Sequence, residues 1–363
     1  MSDYLYLKVK KDLLRKIESG EFGQDGSLPT EKELCKLYGV SQITVRRAVG
    51  ELTSEHILVR QQGKGTFVRK QERIPSIKTI LVLLPLAANT FFYDEFYGPV
   101  WKGMEEEANI SGYNLVFSSH SSSLEHKRDL LKTIAPAMHA GIIVINGLDS
   151  QTLSALKEKF PILLVDYSLT DFFSVVSDNE GGAFEAAQHL LSLGHNKIAC
   201  LTATSLSNSY PLRVAGYRKA LAVSHIMENP VFLPEEKEYP VAGITAMETM
   251  GYLACKKMLR TIKGITGIFA VSDAVALGAM QALGEQKIRI PEDMSIVGFD
   301  GIDDTIHSDP PLTTMEVPKE KMGRLAVKTF IENLDRLNAT PREIILSPRL
   351  VVRKSSCPPK KSR

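Results

Sequence analysis

The sequence is short of everything that would tie it to a membrane, a metal centre or an oxidising compartment. Its four cysteines, Cys35, Cys200, Cys255 and Cys357, are scattered over 363 residues with no C-x-x-C pair. That excludes zinc-ribbon spacing and a disulfide framework, and makes a reducing cytoplasm the expected setting. No apolar run nears the ~18 residues of a membrane span; the run from Ile80 to Leu84 stops at Pro85. The opening stretch, MSDYLYLKVKKDLLRK, is charged and amphipathic and lacks the continuous apolar core of a signal peptide. There is no G-x-G-x-x-G, H-E-x-x-H or G-x-S-x-G, and the eight histidines are dispersed, with His120 and His126 off ligand spacing. Asp300, Asp303, Asp304 and Asp309 cluster in a loop and are not read as a metal site. No catalytic centre, metal or cofactor is therefore expected.

What is present is a globular chain, 44% hydrophobic and 24% charged, long enough for two or three units. Its net charge of +2 hides an asymmetry. Residues 1–75 hold a surplus of four positive charges, concentrated after residue 40 in Arg46, Arg47, Arg60, Lys64, Arg69, Lys70 and Arg73. A local basic patch on a near-neutral protein points to contact with a polyanion.

The pattern in that segment is more specific than its charge. Tyr6, Val9, Leu13 and Ile17 recur at helical steps, giving a helix over 4–18. Thr30 and Glu33 have capping-box spacing and open a second helix, with Leu34 and Leu37 expected to face inward. Gly39 ends it, and Ser41 is placed to cap a third. On this third helix Val45, Ala48, Val49 and Leu52 form a buried stripe, while Ile43, Arg46, Arg47 and Gly50 fall on the opposite face. Gln42 and Thr44 lie in its first turn, the end that meets base edges. Two helices joined at a tight glycine turn form a helix-turn-helix. The runs ILVR and TFVR around Gln61–Gly65 then read as a hairpin wing with Lys64 at its tip.

The stretch LPTEKELCKLYGVSQITVRRAVGEL…GKGTFV resembles the winged-helix domain of the gluconate-repressor (GntR) class, over residues 4–69. The resemblance implies contacts with double-stranded operator DNA from Lys32, from Gln42, Ile43, Thr44 and Arg46 on the recognition helix, and from Gln62 and Gly63 in the wing. Ser41, Arg47 and Lys64 join this set, the last two as phosphate contacts that position without specifying sequence. Lys32 and Gln42 stand where the family often has Arg, so its base preferences do not transfer.

After a polar linker (70–77) the chain alternates. Strand-like runs at 80–84, 113–117, 141–145, 161–166, 197–201, 267–271 and 295–299 are separated by amphipathic stretches near 95–110, 124–137, 150–158, 180–193, 212–223, 244–260 and 273–285. This spacing means βαβ units and parallel sheets, in one doubly wound sheet or in two lobes. Such sheets bind ligands beyond the carboxyl ends of their strands. Asp166, Ser272, Asp273 and Asp300 stand there, and Arg213 opens a following helix. Carboxylates with an arginine suit a polyhydroxylated ligand. Phe91, Phe92, Tyr167, Phe172 and Phe173 are placed to stack on a sugar ring or to pack the core, and Asp273 reads as a helix-starting residue.

VVSDNEGGAFEAAQHLLSLGHNKIACL, LRVAGYRKAL, SDAVALGAMQALGE, IPEDMSIVGFD and PPLTTMEVP resemble the core of lactose/galactose-type (LacI/GalR) repressors, over about residues 78–354. The implied fold is α/β: an N-terminal winged helix-turn-helix, then a two-lobed periplasmic-binding-protein-like domain. Lobe 1 would take about 78–177 and 315–338, lobe 2 about 178–314 and 339–354, and 355–363 would be a disordered tail. The implied effector contacts are Asp166, Arg213, Ser272 and Asp300, with Phe91 and Phe92 added from the residue reading. Ser272 stands where the family commonly has Asn, and Gly301 where a second Asp is frequent, so the particular sugar is open. The combination resembles the arabinose-operon repressors of Gram-positive bacteria. The expectation is a non-enzymatic, homodimeric DNA-binding repressor controlled by a small sugar or sugar derivative, free or phosphorylated. A sugar receptor without DNA activity, a sugar-responsive activator and an enzyme acting on the sugar are the alternatives.

Overall fold

The computed structural model describes residues 2–18, 21–22, 27–54, 57–61, 65–68, 78–85, 94–120, 139–203, 209–226, 231–234, 244–338 and 341–360. Gln62, Gly63, Lys64, the 70–77 linker, Phe91, Phe92 and the helix expected at 124–137 lie outside the described residues. The chain divides into two compact units, Met1–Ile77 and Lys78–Arg363.

The first unit packs α1 (Ser2–Glu18), α2 (Glu31–Tyr38) and α3 (Gln42–Ser54) beside an antiparallel hairpin, β1 (Leu58–Gln61) and β2 (Gly65–Val68). The expected capping box is formed at α2, and Gly39 ends that helix at φ 62°, a left-handed conformation that glycine adopts without Cβ strain. Val9, Leu13, Leu28, Leu34, Val45, Ala48, Val49, Leu52 and Leu58 make the core. Leu37, expected inside, is 60% exposed. The short α2 buries the line through Leu34, with Cys35 and Tyr38 half-buried beside it, and Leu37 falls off that line.

Among the described residues the second unit forms two six-stranded sheets rather than one. In the first, β13 (Glu343–Leu346), β7 (Phe173–Ser177), β6 (Ile162–Val165), β5 (Gly141–Ile145), β3 (Lys78–Pro85) and β4 (Tyr113–His120) lie side by side, all parallel. In the second the order is β14 (Arg349–Val351), β12 (Thr313–Glu316), β11 (Ser295–Asp300), β10 (Gly267–Ala270), β8 (Ile198–Leu201) and β9 (Val231–Phe232). Only β14 in this sheet runs antiparallel. Burial on both faces explains the continuous apolar runs GIIVI, ILLV and GIFA.

Helices α4 (Tyr97–Ile110), α5 (Ser150–Lys157), α6 (Asn179–Ser192), α7 (Ser209–Val223), α8 (Ile244–Thr261), α9 (Asp273–Glu285), α10 (Asp304–His307) and α11 (Lys319–Glu332) connect the strands. The chain leaves the first sheet after β7, returns through α11 to β13, and ends in the second sheet with β14. Helices α4 and α11 touch backbone to backbone at glycines: a Cβ on Gly103 would sit 2.0 Å from the Glu320 carbonyl oxygen, and one on Gly323 would sit 1.9 Å from that of Val100.

Two boundaries differ from expectation. Residues 343–346 lie in the first sheet, not with the second lobe, because Glu343–Leu346 pair in parallel with Ser174–Ser177. The tail is ordered as far as Lys360. Ser355 is fully buried, its hydroxyl donating to the Ile296 carbonyl (2.7 Å) and accepting from Thr313 N (2.8 Å). The Cys357 carbonyl accepts from Ser295 Oγ (3.0 Å) and lies 2.9 Å from His195 Nε2. These bonds satisfy polar groups that would otherwise be buried unpaired along β11 and β12.

Candidate functional site

Two sites emerge, one in each unit. In the first unit the outer face of α3 is open: Ser41, Gln42, Ile43, Arg46 and Arg47 are exposed, Ile43 by 80%, and Lys32 is exposed on α2. An apolar side chain left in water at the first turn of a basic helix suits contact with a thymine methyl group. Thr44, by contrast, is buried, with its hydroxyl 2.9 Å from Ser41 Oγ and its N–H donating to the same oxygen at 3.4 Å. It serves the helix start instead of the open face. Arg47 lies across the Tyr6 ring, 3.9 Å from its centroid, which holds its guanidinium against α1.

Arg46 is not loose. Its Nε and Nη2 donate to Glu31 Oε2 at 3.3 and 3.2 Å, Gln42 Nε2 donates to the same oxygen at 3.3 Å, and Arg60 Nη2 donates to Glu31 Oε1 at 3.1 Å. Burial would raise the Glu31 carboxyl, but the hydrogen bonds from Arg46 and Gln42 and the charges of Arg46 and Arg60 outweigh it and hold it below its ordinary value.

In the second unit, Asp166, Arg213, Ser272 and Asp300 come together. Asp166 follows β6 at φ 63° and Asp300 ends β11 at φ 120°, conformations that cost a non-glycine residue energy and that cluster at ligand sites. Arg213, 2% exposed on α7, donates from Nε to Asn179 Oδ1 (2.8 Å) and from Nη1 to the Val271 carbonyl (2.7 Å). Its Nη1 also pairs with Asp300 Oδ1 at 2.8 Å, and its guanidinium lies 3.8 Å from the Phe299 ring centroid. Ser272 caps α9 by accepting from Val275 N and hydrogen-bonds the Tyr210 phenol. Burial pushes Asp166 up to about 6, against the hydrogen bond from Tyr97 (2.8 Å) and the charge of Arg213. Asp300 is also raised by burial, against Arg213 and Lys319.

Asp273 is a brace. It is fully buried; its Oδ2 accepts from Gly301 N (2.6 Å) and Ile302 N (3.0 Å), and its Oδ1 from Thr314 Oγ1 (2.6 Å). Burial and the nearby Asp300 push it up to about 7 against those donors. It thereby fixes the turn that carries Asp300. Gly301 holds that turn at φ 69°, and a Cβ there would meet Glu316 at 2.8 Å, so the Asp frequent at this position in the resembling family does not fit this backbone.

Several participants escape the sequence reading. Tyr97 donates to Asp166, and Lys319 Nζ donates to the Asp300 and Gly301 carbonyls at 2.9 and 2.6 Å. Asn146 follows β5, beside the β6 end, at φ 48°, with its Oδ1 buried and lacking a hydrogen-bond partner. The strand-end rule that found Asp166 also points to Asn146 after GIIVI. Tyr167, Phe172 and Phe173 are each 5% exposed and pack in the core: Tyr167 and Phe172 cluster with Leu153 and Leu156 of α5, while Phe173, at the amino end of β7, packs in the other cluster. Among the described residues no group of His, Cys, Asp or Glu could hold a metal ion, and no helix is long and apolar enough to cross a membrane.

Comparison with known proteins follows the same division. Residues 5–68 match the bacterial regulatory proteins of the gntR family, and residues 187–356 match the periplasmic binding protein-like domain. The HTH-type transcriptional repressor PurR of Photobacterium profundum is 28% identical over 345 residues, 90% of this chain and 98% of that one. A LacI family transcriptional regulator from Enterococcus faecium with bound ribose superposes with a TM-score of 0.64 at 25% identity, covering 77% of this chain and 99% of that chain. The lac repressor dimer bound to operator and the anti-inducer ONPF superposes at 0.65, also at 25% identity, covering 77% of this chain and 94% of that chain.

The fold and its matches define a transcriptional regulator. More particularly, it joins a GntR-type helix-turn-helix domain to a LacI-type, periplasmic-binding-protein-like domain.

Proposed function

We propose that the protein is a cytoplasmic, homodimeric repressor that binds a palindromic operator and is controlled by an uncharged sugar held at Asp166, Arg213, Ser272 and Asp300. Two recognition helices would enter successive major grooves, with each wing reaching an adjacent minor groove. Gln42, Ile43 and Arg46 read bases; Lys32, Ser41 and Arg47 position the head on the phosphates. The ribose bound by the Enterococcus faecium relative and the operator bound by the lac repressor dimer support this reading.

The observation that carries the choice of ligand is the state of Arg213. Its guanidinium is already committed to Asn179, the Val271 carbonyl and Asp300, and the ammonium of Lys319 to two carbonyls. Around them stand Asp94, Asp166, Asp273 and Asp300, which feel one another's charge. This surplus of carboxyls around two committed cations disfavours a phosphorylated ligand, while Asp166 and Asp300 are the carboxyls placed to accept hydroxyl donors.

Thermal unfolding in the presence of free pentoses, hexoses and disaccharides, each beside its phosphate ester where one exists, tests the reading. A free sugar is expected to raise the melting temperature and its phosphate ester to leave it unchanged. Stabilisation by the ester alone would overturn the assignment.

A further inference from the structure

Glu31 stands out because it does no necessary work for the fold. The N-terminus of α2 is already capped by Thr30 and Glu33, whose side chains each accept from the other's backbone N–H. Exposed ion pairs contribute little to stability, and both partners of Glu31 are exposed: the side chains of Arg46 and Arg60 are 62% and 48% accessible. Yet one carboxylate gathers donors from the recognition helix and from the first wing strand, and it is the more buried member of each pair, 26% accessible. A carboxylate among groups that approach DNA repels every phosphate nearby. Its position makes sense only if restraining those cations is useful.

We propose that Glu31 is a positioning residue for sequence readout: it holds Arg46, Arg60 and Gln42 in one fixed fork and keeps the two guanidinium charges from binding phosphates of arbitrary sequence. The inference rests on the DNA-binding reading of the first unit. Backbone contacts supply nearly all non-specific affinity, and each phosphate neutralised adds about 0.9 to the slope of log K against log salt. A cation already paired with a carboxylate neutralises less phosphate charge. Base contacts, in turn, need the guanidinium plane in one orientation, which the two bonds from Arg46 to Glu31 Oε2 provide.

The experiment uses the full chain and two probes: a random-sequence duplex, and the sequences that the unmodified protein itself selects from a randomised duplex pool. Affinity for each is measured across a salt series for the parent, Glu31→Gln and Glu31→Asp. Glu31→Gln keeps side-chain oxygen and length but removes the charge. It is expected to bind the random duplex severalfold more tightly and with a salt slope steeper by roughly one to two. Its ratio of selected to random affinity should fall about tenfold, and its own selection should return a more degenerate motif. Glu31→Asp, which keeps the charge, should retain most of the ratio.

The proposal is overturned if Glu31→Gln leaves the random-duplex affinity, the slope and the ratio unchanged. It is equally overturned if both affinities drop together with the melting temperature, since that is the mark of a purely structural contact. Failure of the parent protein to bind either probe would sink the DNA-binding reading itself, an outcome visible before any variant is compared.

Discussion

Replacing Arg213 by Met removes the cation at the centre of the second unit while keeping most of the buried stem. In the parent, Arg213 and Asp300 are paired at 2.8 Å with side chains 3% and 14% exposed, so solvent screens the pair little. The variant leaves the Asp300 carboxyl buried beside Asp166 and Asp94 with no partner but Lys319. Breaking such a pair from one side costs about 3–5 kcal/mol. At roughly 2 °C per kcal/mol for a unit of this size, its melting temperature should fall by about 6–10 °C. The deficit has a direction in pH. The Asp300 carboxyl is already raised by burial and rises further without Arg213. The folded variant therefore holds that proton more tightly than the unfolded chain, and stability is lost as pH climbs from about 4 toward neutrality. Differential scanning calorimetry at pH 5 and pH 8 should show the larger deficit at pH 8. Adding Asp300→Asn should restore much of it, because neither charge is then left alone. An Arg213→Met protein melting within a degree of the parent at pH 8, or a double variant no better than the single one, would mean that the Arg213–Asp300 pair does not hold this unit together.

Other consequences follow from the same structure. On the proposed reading sugar hydroxyls would donate to ionised Asp166, whose carboxyl is pushed up to about 6; affinity measured calorimetrically should then drop about tenfold between pH 8 and pH 5. Truncation after Val352 removes the partners of Ile296, Thr313, Ser295 and His195, and should lower the melting temperature of the second unit by several degrees. Burial holds His195 below its ordinary pKa, so its contribution to stability is present above about 6.5 and is lost as pH falls below it. His195→Gln should flatten that acid limb of the melting profile. Gly323→Ala places a Cβ where the Val100 carbonyl stands and should cost about 1–3 kcal/mol in chemical denaturation.

The elements that could be read from the sequence are those whose signal is local. Strands covered on both faces appear as unbroken apolar runs, and the capping box at Thr30 and the left-handed turn at Gly39 announce themselves in a few letters. What escaped depends on pairing across distance. Residues 173–177 are a central strand, but Ser174 and Ser177 interrupt the apolar run. The strand at 343–346 alternates half-exposed residues, and only its neighbour β7 decides which sheet it joins. The tail reads as disorder because its anchors are two serine hydroxyls, backbone groups of Cys357 and one lysine, which composition cannot show.

At the sites the same division holds. Asp166, Ser272 and Asp300 follow strands, where a polar letter after an apolar run is conspicuous; Arg213, expected to open its helix, stands more than a turn inside α7, which begins at Ser209. Tyr97 and Lys319 reach the cluster from elements far away in sequence. Glu31 looks like any acidic residue in a helix's first turn until α3 and β1 are seen to converge on it. Thr44 and Leu37 exchange expected environments because helical periodicity assigns a face but not the partner that covers it.

On the proposed function, one chain couples a DNA-reading head to a sugar-binding unit. The most direct test of that coupling is reciprocity, measured by titrating the selected duplex with and without the stabilising sugar, and the sugar with and without the duplex. Coupled sites should change duplex affinity by about 5- to 150-fold, with an equal factor for the sugar in the reverse experiment. Duplex affinity indifferent to saturating sugar would contradict the coupling.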